Sequence, residues 1–337
     1  MKSLPCLFFK RFCGCIFFGL FLCNEDVNDD TLITSTIYLI MSSFFRPSLD
    51  IDINLDNEDN KECHEIVNNK KGIVEKIPIY EDGESISGTI TLRVRGEGKR
   101  VEHQGITISL IGGIDIRDSP TNNNTFLQLT ADLFAPGDLL NTQTTHFNFK
   151  NCQKQYNSYK GINVDLNYYL KVKVNLLNKA PITKYKKIWV NLYDDVTNLK
   201  PKPIKLDIGI ENCLHIEFEF GKNFYTLNDL ILGRIYFLLN RLKIKKMELC
   251  LITRETTNNS TKSKVCETVP ISYEIMDGSP VKGETIPIRL FLSGYNLLPS
   301  IDLGSFSVKS YLSLVIYDED GRRYFKQAEI DMYRTRE

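Results

Sequence analysis

The sequence predicts an all-β protein built from two tandem antiparallel β-sandwich domains. Three observations predict it. Apolar residues recur at every second position in run after run, a helical period of 3.6 is sustained nowhere for long, and a proline-bearing strip divides the body into two halves of sandwich size. A chain of 337 residues exceeds what one ordinary all-β core uses, which also favours two domains.

The alternation begins after residue 86. Ile90, Leu92 and Val94, then Ile106, Ile108 and Leu110, then Val164, Leu166, Tyr168, Leu170, Val172 and Val174 each place their apolar members on one face of a strand. The second half repeats the habit with Leu214, Ile216, Phe218 and Phe220, with Ile286, Ile288, Leu290 and Leu292, and with Leu312, Leu314 and Ile316. Between them stand turn signals: Glu81-Asp82-Gly83, Gly96-Glu97-Gly98, Asn157-Ser158, Asp277-Gly278 and Asp318-Glu319-Asp320-Gly321. The best helical candidate is Thr125 to Phe134, where one or two turns are expected. Asn57 to Lys71 and Asn258 to Lys264 read as long polar loops. In Asn198-Leu199-Lys200-Pro201-Lys202-Pro203 the two prolines lack backbone donors and favour an extended strip. The expected domains are therefore 44–195 and 206–337, joined by a linker at 196–205.

Residues 1–43 stand apart as an N-terminal extension. Lys10 and Arg11 precede an apolar run, Phe12 to Leu22, in the charge-then-apolar layout of a secretory signal. The run is too short to span a bilayer as a helix, which needs about 20 residues. No small-x-small cleavage site follows it, and acidic Glu25, Asp26, Asp29 and Asp30 come at once. The favoured expectation is that translation starts at Met41.

Composition removes several classes of function. Lys plus Arg and Asp plus Glu both number 42, so no net field exists to hold nucleic acid, and no nucleic-acid partner is expected. An apolar fraction of 42% with 25% charged residues describes a water-soluble globular body. Beyond the extension, Cys63, Cys152, Cys213, Cys250 and Cys266 share no C-x-x-C spacing and are odd in number, which fits reduced thiols. His215 and Glu217 lie two apart on one strand face, as metal ligands can, but no further ligand has support in the sequence, so the pair reads as an outward face. Glu102 beside His103 suggests a carboxylate orienting a base; without a G-x-S-x-G nucleophile motif, a hairpin hydrogen bond is the better reading. Gly96-Glu97-Gly98-Lys99-Arg100 lacks both the third glycine of a dinucleotide fingerprint and the spacing of a P-loop. Arg241, Lys243 and Lys245 alternate with Leu242 and Ile244 as a basic stripe on one strand face. Asn123, Asn258 and Asn259 begin N-x-[ST] triplets, which matter only in a secreted chain. No catalytic residue, cofactor-binding residue or metal site is assigned, and no enzyme is expected.

Several stretches resemble the arrestin-like subunit of retromer, the vacuolar protein sorting-associated protein 26 family. They are Asp82-Gly83-Glu84-Ser85-Ile86-Ser87-Gly88, Gly98-Lys99-Arg100-Val101-Glu102-His103-Gln104-Gly105-Ile106 and Glu211-Asn212-Cys213-Leu214-His215-Ile216-Glu217-Phe218. Three more follow in order: Gly233-Arg234-Ile235-Tyr236-Phe237-Leu238-Leu239, Tyr273-Glu274-Ile275-Met276-Asp277-Gly278-Ser279-Pro280-Val281-Lys282-Gly283-Glu284, and Gly321-Arg322-Arg323-Tyr324-Phe325-Lys326-Gln327. Residues 1–40 have no counterpart in the family, and the acidic tail of its animal members is missing.

The resemblance implies an arrestin-like fold and a non-enzymatic adaptor without a cofactor. Its expected partners are the helical-solenoid retromer subunit of the vacuolar protein sorting-associated protein 35 type, sorting nexins, and the cytosolic tails of transmembrane cargo. The expected location is the cytoplasm, peripheral on the cytosolic face of endosomes, in retrograde endosome-to-Golgi sorting. Ile275, Met276, Asp277 and Gly278 match the segment that contacts the solenoid subunit; strand alternation should leave at least one of Ile275 and Met276 exposed. Tyr324 and Phe325 match the cargo groove, where Phe325 either walls a peptide site or fills the second core. The competing classes are another arrestin-like trafficking adaptor, which should carry proline-rich tail motifs, and a secreted β-sandwich adhesin.

Overall fold

The computed structural model describes residues 48–68, 73–96, 99–117, 124–258 and 263–336. The expected extension at 1–43, the Met41 start, Gly98, Asn123 and the Asn259 triplet lie outside the described residues. Among those described, the only helical turn is a short 3-10 segment at Glu58–Asn60, and no helix is long and apolar enough to cross a membrane.

The strands of the first half are β1 (Leu49–Leu55), β2 (Cys63–Asn68), β3 (Ile73–Glu81), β4 (Ile86–Val94), β5 (Val101–Ile116), β6 (Asn124–Phe134), β7 (Gly137–Leu139), β8 (Gln143–Phe149), β9 (Tyr159–Lys160), β10 (Val164–Leu176) and β11 (Ile182–Asn191). One sheet has the order β1-β4-β8 and the other β2-β3-β11-β10-β5-β6, with β7 on β5 and β9 on β10. The second half comprises β12 (Ile204–Ile210), β13 (Leu214–Phe220), β14 (Phe224–Thr226), β15 (Leu230–Asn240), β16 (Ile244–Asn258), β17 (Ser263–Asp277), β18 (Thr285–Phe291), β19 (Ile301–Leu303), β20 (Phe306–Asp318) and β21 (Arg323–Tyr333). Its sheets run β12-β13-β15-β18 and β14-β21-β20-β16-β17, with β19 on β20. All these pairings are antiparallel except β3 with β11 and β14 with β21.

The alternation in sequence becomes alternation in burial. Along β10 every second residue from Val164 to Val174 is buried, and β4 and β13 behave alike. Each such aliphatic side chain contributes about 1.5–3 kcal/mol by leaving water. Two main cores result, one around Ile90, Leu110 and Leu170, the other around Phe218, Leu249 and Leu314, with a small cluster of Cys250, Ile252 and Val315 beside them.

The helical turn expected at Thr125 to Phe134 is absent; the segment is strand β6, paired along β5. Its register shifts twice against β5, between Ile106 and Thr107 and between Gly112 and Gly113. Those irregularities break the period of two in the sequence. Phe126 meets Tyr156 and Tyr168 edge-on at 5.0 and 5.3 Å, so the strand is held by tertiary packing, not by its own pattern.

The two cores share a seam. Phe306 and Val308, at the start of β20, belong to the first core, and Phe306 stacks on Tyr159 at 6.0 Å. Glu255 of β16 is 3% exposed and reaches the loop after β9. It accepts hydrogen bonds from Tyr159 Oη (2.8 Å), Ile162 N (3.0 Å) and Asn163 N (2.7 Å). Beyond β11 and β21, Asp194 N donates to Arg334 O at 2.7 Å, and Arg334 N returns a bond to Asp194 Oδ2 at 3.2 Å.

Candidate functional site

Two regions of the second half carry the residues singled out by sequence. The first is the end of β17 and the turn leading to β18. Asp277 and Gly278 reverse the chain, with Gly278 at φ 87°, a value that favours glycine. The turn is tied down at several points: Gly278 N donates to Lys245 O (2.7 Å), Ser279 Oγ to Leu242 O (3.2 Å), and Asn240 Nδ2 to Pro280 O (2.6 Å). Further on, Gly283 N donates to Phe237 O at 2.7 Å, and Val281 N to Glu284 Oε2 at 3.0 Å.

Ile275 and Met276 are both half-buried and packed against the second core. The expectation that at least one is exposed fails for a definite reason. Met276 pairs with Met247 and Glu274 with Glu248, so Ile275 is the extra residue of a bulge, and a bulge suspends strict alternation. The exposed apolar groups of this region are Tyr273 (44%), Leu238 (42%) and Val281 (70%). Leu238 is likewise the extra residue of a register shift, between His215 and Ile216 on the facing strand. Sequence reasoning passed over Val281, whose signal was an aliphatic residue between the turn formers Pro280 and Gly283.

The second region is the start of β21. Tyr324 is half-buried against the second core, and its hydroxyl donates to Asp318 Oδ2 at 3.1 Å. Arg322 N donates to the other oxygen of the same carboxylate at 2.7 Å, so buried Asp318 fixes the hairpin. Phe325 is 56% exposed, with the Arg323 guanidinium 5.3 Å from its ring centre; it does not fill the second core. One edge of β21 pairs with β20 from Arg323 to Ile330, while β14 occupies the other edge only at Asp331 to Tyr333. Along Arg323 to Ile330, that outer edge has no strand partner among the described residues. An unpaired edge beside an exposed aromatic can accept an extended peptide as a further strand.

The remaining candidates resolve locally. His103 is 4% exposed and accepts a hydrogen bond at Nδ1 from Gly105 N (3.3 Å), whereas Glu102 points the other way into solvent. Burial holds the His103 imidazole below its usual range, with Asp138 opposing. His215 and Glu217 gain a third neighbour in Asp207, which lies opposite Glu217 on β12; one ligand atom from each falls within 4.8 Å of the others, and all three residues are exposed. Asp207 was invisible in sequence because the contact is made across strands. Arg241 and Lys243 precede β16, so the expected stripe on one strand face does not form; Lys243 instead pairs with Glu319 at 3.6 Å. The five cysteines of the described body are free thiols.

The chain was compared with known proteins. A family model described as vacuolar protein sorting-associated protein 26 matches residues 45–321. Carboxypeptidase Y-deficient protein 8 of Saccharomyces cerevisiae is 43% identical, over 88% of this chain and 100% of that protein. Vacuolar protein sorting-associated protein 26 of Schizosaccharomyces pombe is 40% identical over 88% of this chain and 99% of its own length. Vacuolar protein sorting-associated protein 26B-A of Xenopus laevis is 44% identical over 87% of each chain.

Proposed function

Because the chain belongs to the vacuolar protein sorting-associated protein 26 family, we propose that it is a non-enzymatic adaptor subunit of the retromer cargo-recognition complex. In this reading it serves retrograde endosome-to-Golgi sorting of transmembrane cargo, held peripherally on the cytosolic face of endosomes. Its partners are a helical-solenoid subunit of the vacuolar protein sorting-associated protein 35 type, sorting nexins, and the cytosolic tails of cargo. Residues 44–195 and 206–337 are the two arrestin-like domains, and 196–205 joins them.

The observation that carries the reading is the tied-down turn at Asp277 to Glu284. Docking on a rigid turn loses little conformational freedom, because the backbone bonds to Lys245 and Phe237 and the Ser279 hydroxyl bond to Leu242 O already hold the shape. Ile275, Met276, Asp277 and Gly278 form the base of this contact and Val281 its exposed tip. Tyr324 and Phe325 stand at the cargo edge, where β21 offers unpaired backbone groups to a peptide strand.

Affinity purification of the tagged full chain followed by mass spectrometry tests the proposal. The expected result is co-purification of a helical-solenoid subunit, reduced by Val281→Asp. Recovery of no such partner from cells that express one would overturn the retromer reading and leave the family membership standing.

A further inference from the structure

At the seam between the halves lies a cavity of about 400 Å³ lined by Glu62, Asn191, Tyr193, Asn228, Arg334, Thr335 and Arg336, among others. Its chemistry is unusually one-sided. The Arg334 side chain has five N–H donors, of which Nη1 serves Asn157 Oδ1 (3.3 Å) and Asn191 Oδ1. Nε and Nη2 have no partner among the described residues, and no carboxylate there forms an ion pair with the guanidinium. Asp194 spends an oxygen on the Arg334 backbone N–H, and its charge also favours the charged guanidinium without forming an ion pair with it.

Asn191 is oriented by the same network. Its Oδ1 accepts from Trp189 Nε1 (3.1 Å) and from Arg334, which leaves its Nδ2 donors without an acceptor among the described residues. Arg336 stacks on Tyr193 at 5.3 Å and gives only Nη2 to Glu81, so it too has donors to spare. The wall thus carries two guanidiniums, one amide turned donor-outward, Thr335 and Tyr193, with Glu62 also lining it, Glu81 paired with Arg336 and the Asp194 charge acting on Arg334.

We propose that this cavity binds a phosphate monoester or inorganic phosphate, with Arg334 as the central ligand and Arg336, Asn191 and Thr335 around it. A tetrahedral oxyanion with three or four terminal oxygens can use donors arriving from several directions, whereas a planar carboxylate offers two oxygens in one plane. Burial disfavours the half-buried Arg334 guanidinium more than Asp194 and Tyr193 favour it, and an anion in the cavity supplies a further charge partner. The lining residues come from the residue before β2, from the end of β11 and just beyond it, from the loop after β14 and from the segment after β21, so the ligand braces both halves.

The full chain is titrated with inorganic phosphate and with glycerol 3-phosphate, reading ³¹P line broadening and the melting temperature, against sodium chloride at matched ionic strength. Saturable broadening and a saturable rise in melting temperature are expected with both phosphates and not with chloride. Arg334→Met should weaken binding by about tenfold or more, as loss of a charge-assisted ligand does. Glu62→Gln, which removes an opposing charge at an exposed residue, should tighten it. If Arg334→Met fails to fold, Arg336→Ala takes its place, since that side chain is exposed. Flotation with phosphatidic acid vesicles separates the sources: recruitment that depends on Arg334 assigns the phosphate to a lipid headgroup, and solution binding without recruitment assigns it to a soluble ester. Phosphate effects equal to those of chloride, or binding indifferent to Arg334, Arg336 and Glu62 alike, overturn the proposal.

Discussion

Glu255→Ala should loosen the seam between the halves more than any other single substitution of a polar side chain there. The carboxylate accepts three hydrogen bonds, from Tyr159 Oη, Ile162 N and Asn163 N, at a site where Glu255 is 3% exposed. Each donor left unsatisfied costs about 1–3 kcal/mol, but the phenol can rotate to find another acceptor and the effects do not add in full. A loss of about 3–5 kcal/mol is expected, the range for stripping one partner from a buried charged network. Glu255→Gln keeps an acceptor for Asn163 N and lets the Tyr159 oxygen accept from the new amide, so only Ile162 N is orphaned and about 1–3 kcal/mol goes. Gly161 supplies a cross-check. A Cβ there would come within 1.7 Å of Glu255 Oε2 and 2.6 Å of Tyr159 Oη, so Gly161→Ala is expected to be damaging while the carboxylate is present and less so once it is gone. Urea denaturation of the four species in this cycle, followed by tryptophan fluorescence and circular dichroism, measures the coupling. Strict additivity of the two substitutions, or a Glu255→Ala loss under about 1 kcal/mol, would refute the reasoning.

Phe325→Ser should leave the urea midpoint almost unchanged, because the ring is 56% exposed, yet reduce recruitment of cargo-tail peptides; a stability loss as large as the binding loss would count against the edge. Ile275→Asp should cost about 1–3 kcal/mol of stability as well as partner binding, since the side chain packs on the second core, whereas Val281→Asp should weaken binding of the recombinant solenoid subunit in calorimetry with a normal melt. A normal melt for Ile275→Asp would contradict the bulge geometry. His64 is held below its usual range by burial first and then by Arg334 and Lys160, and His103 by burial. Their folded-state pKa values lie below the unfolded value of about 6.5, so the unfolded chain takes up protons first as pH falls. Stability from these two residues is therefore full above about pH 6.5 and declines below it; urea midpoints at pH 7.5 and 5.5 that fall no further in wild type than in the His64→Gln/His103→Gln double variant would exclude the effect.

How much of this was legible depended on whether a residue's environment was made by its own strand. Val164 to Val174 could be read directly, because one face of β10 meets the core and the other does not. Thr125 to Phe134 could not, since the two register shifts against β5 scramble its period. The same physics decided the candidate site. The turn at Asp277-Gly278 was visible from residue type, but the bulge that turns both Ile275 and Met276 inward depends on pairing with Met247 and Glu248 on the neighbouring strand. Glu255 and Arg334 carried no local signal at all, and Asp318 only that of a turn. A lone Glu or Arg in a strand pattern looks like surface, and only the fold reveals that its partners lie across a seam or at the far side of a hairpin.

Strand β20 begins with Phe306 and Val308 in one core and continues through Leu312, Leu314 and Ile316 in the other. Thirteen residues at about 3.3 Å each make it a beam some ~43 Å long that is anchored at both ends. A hinge motion that swung one half against the other would have to bend this beam or draw Phe306 out of its seat against Tyr159, at about 1.5–3 kcal/mol for the ring alone. The extended strip at Pro201 and Pro203 therefore does not set the flexibility of the molecule, however loose it is. Cleaving it with a protease should leave two fragments that stay together through gel filtration, and a 206–337 fragment expressed alone would expose Phe306 to water and self-associate.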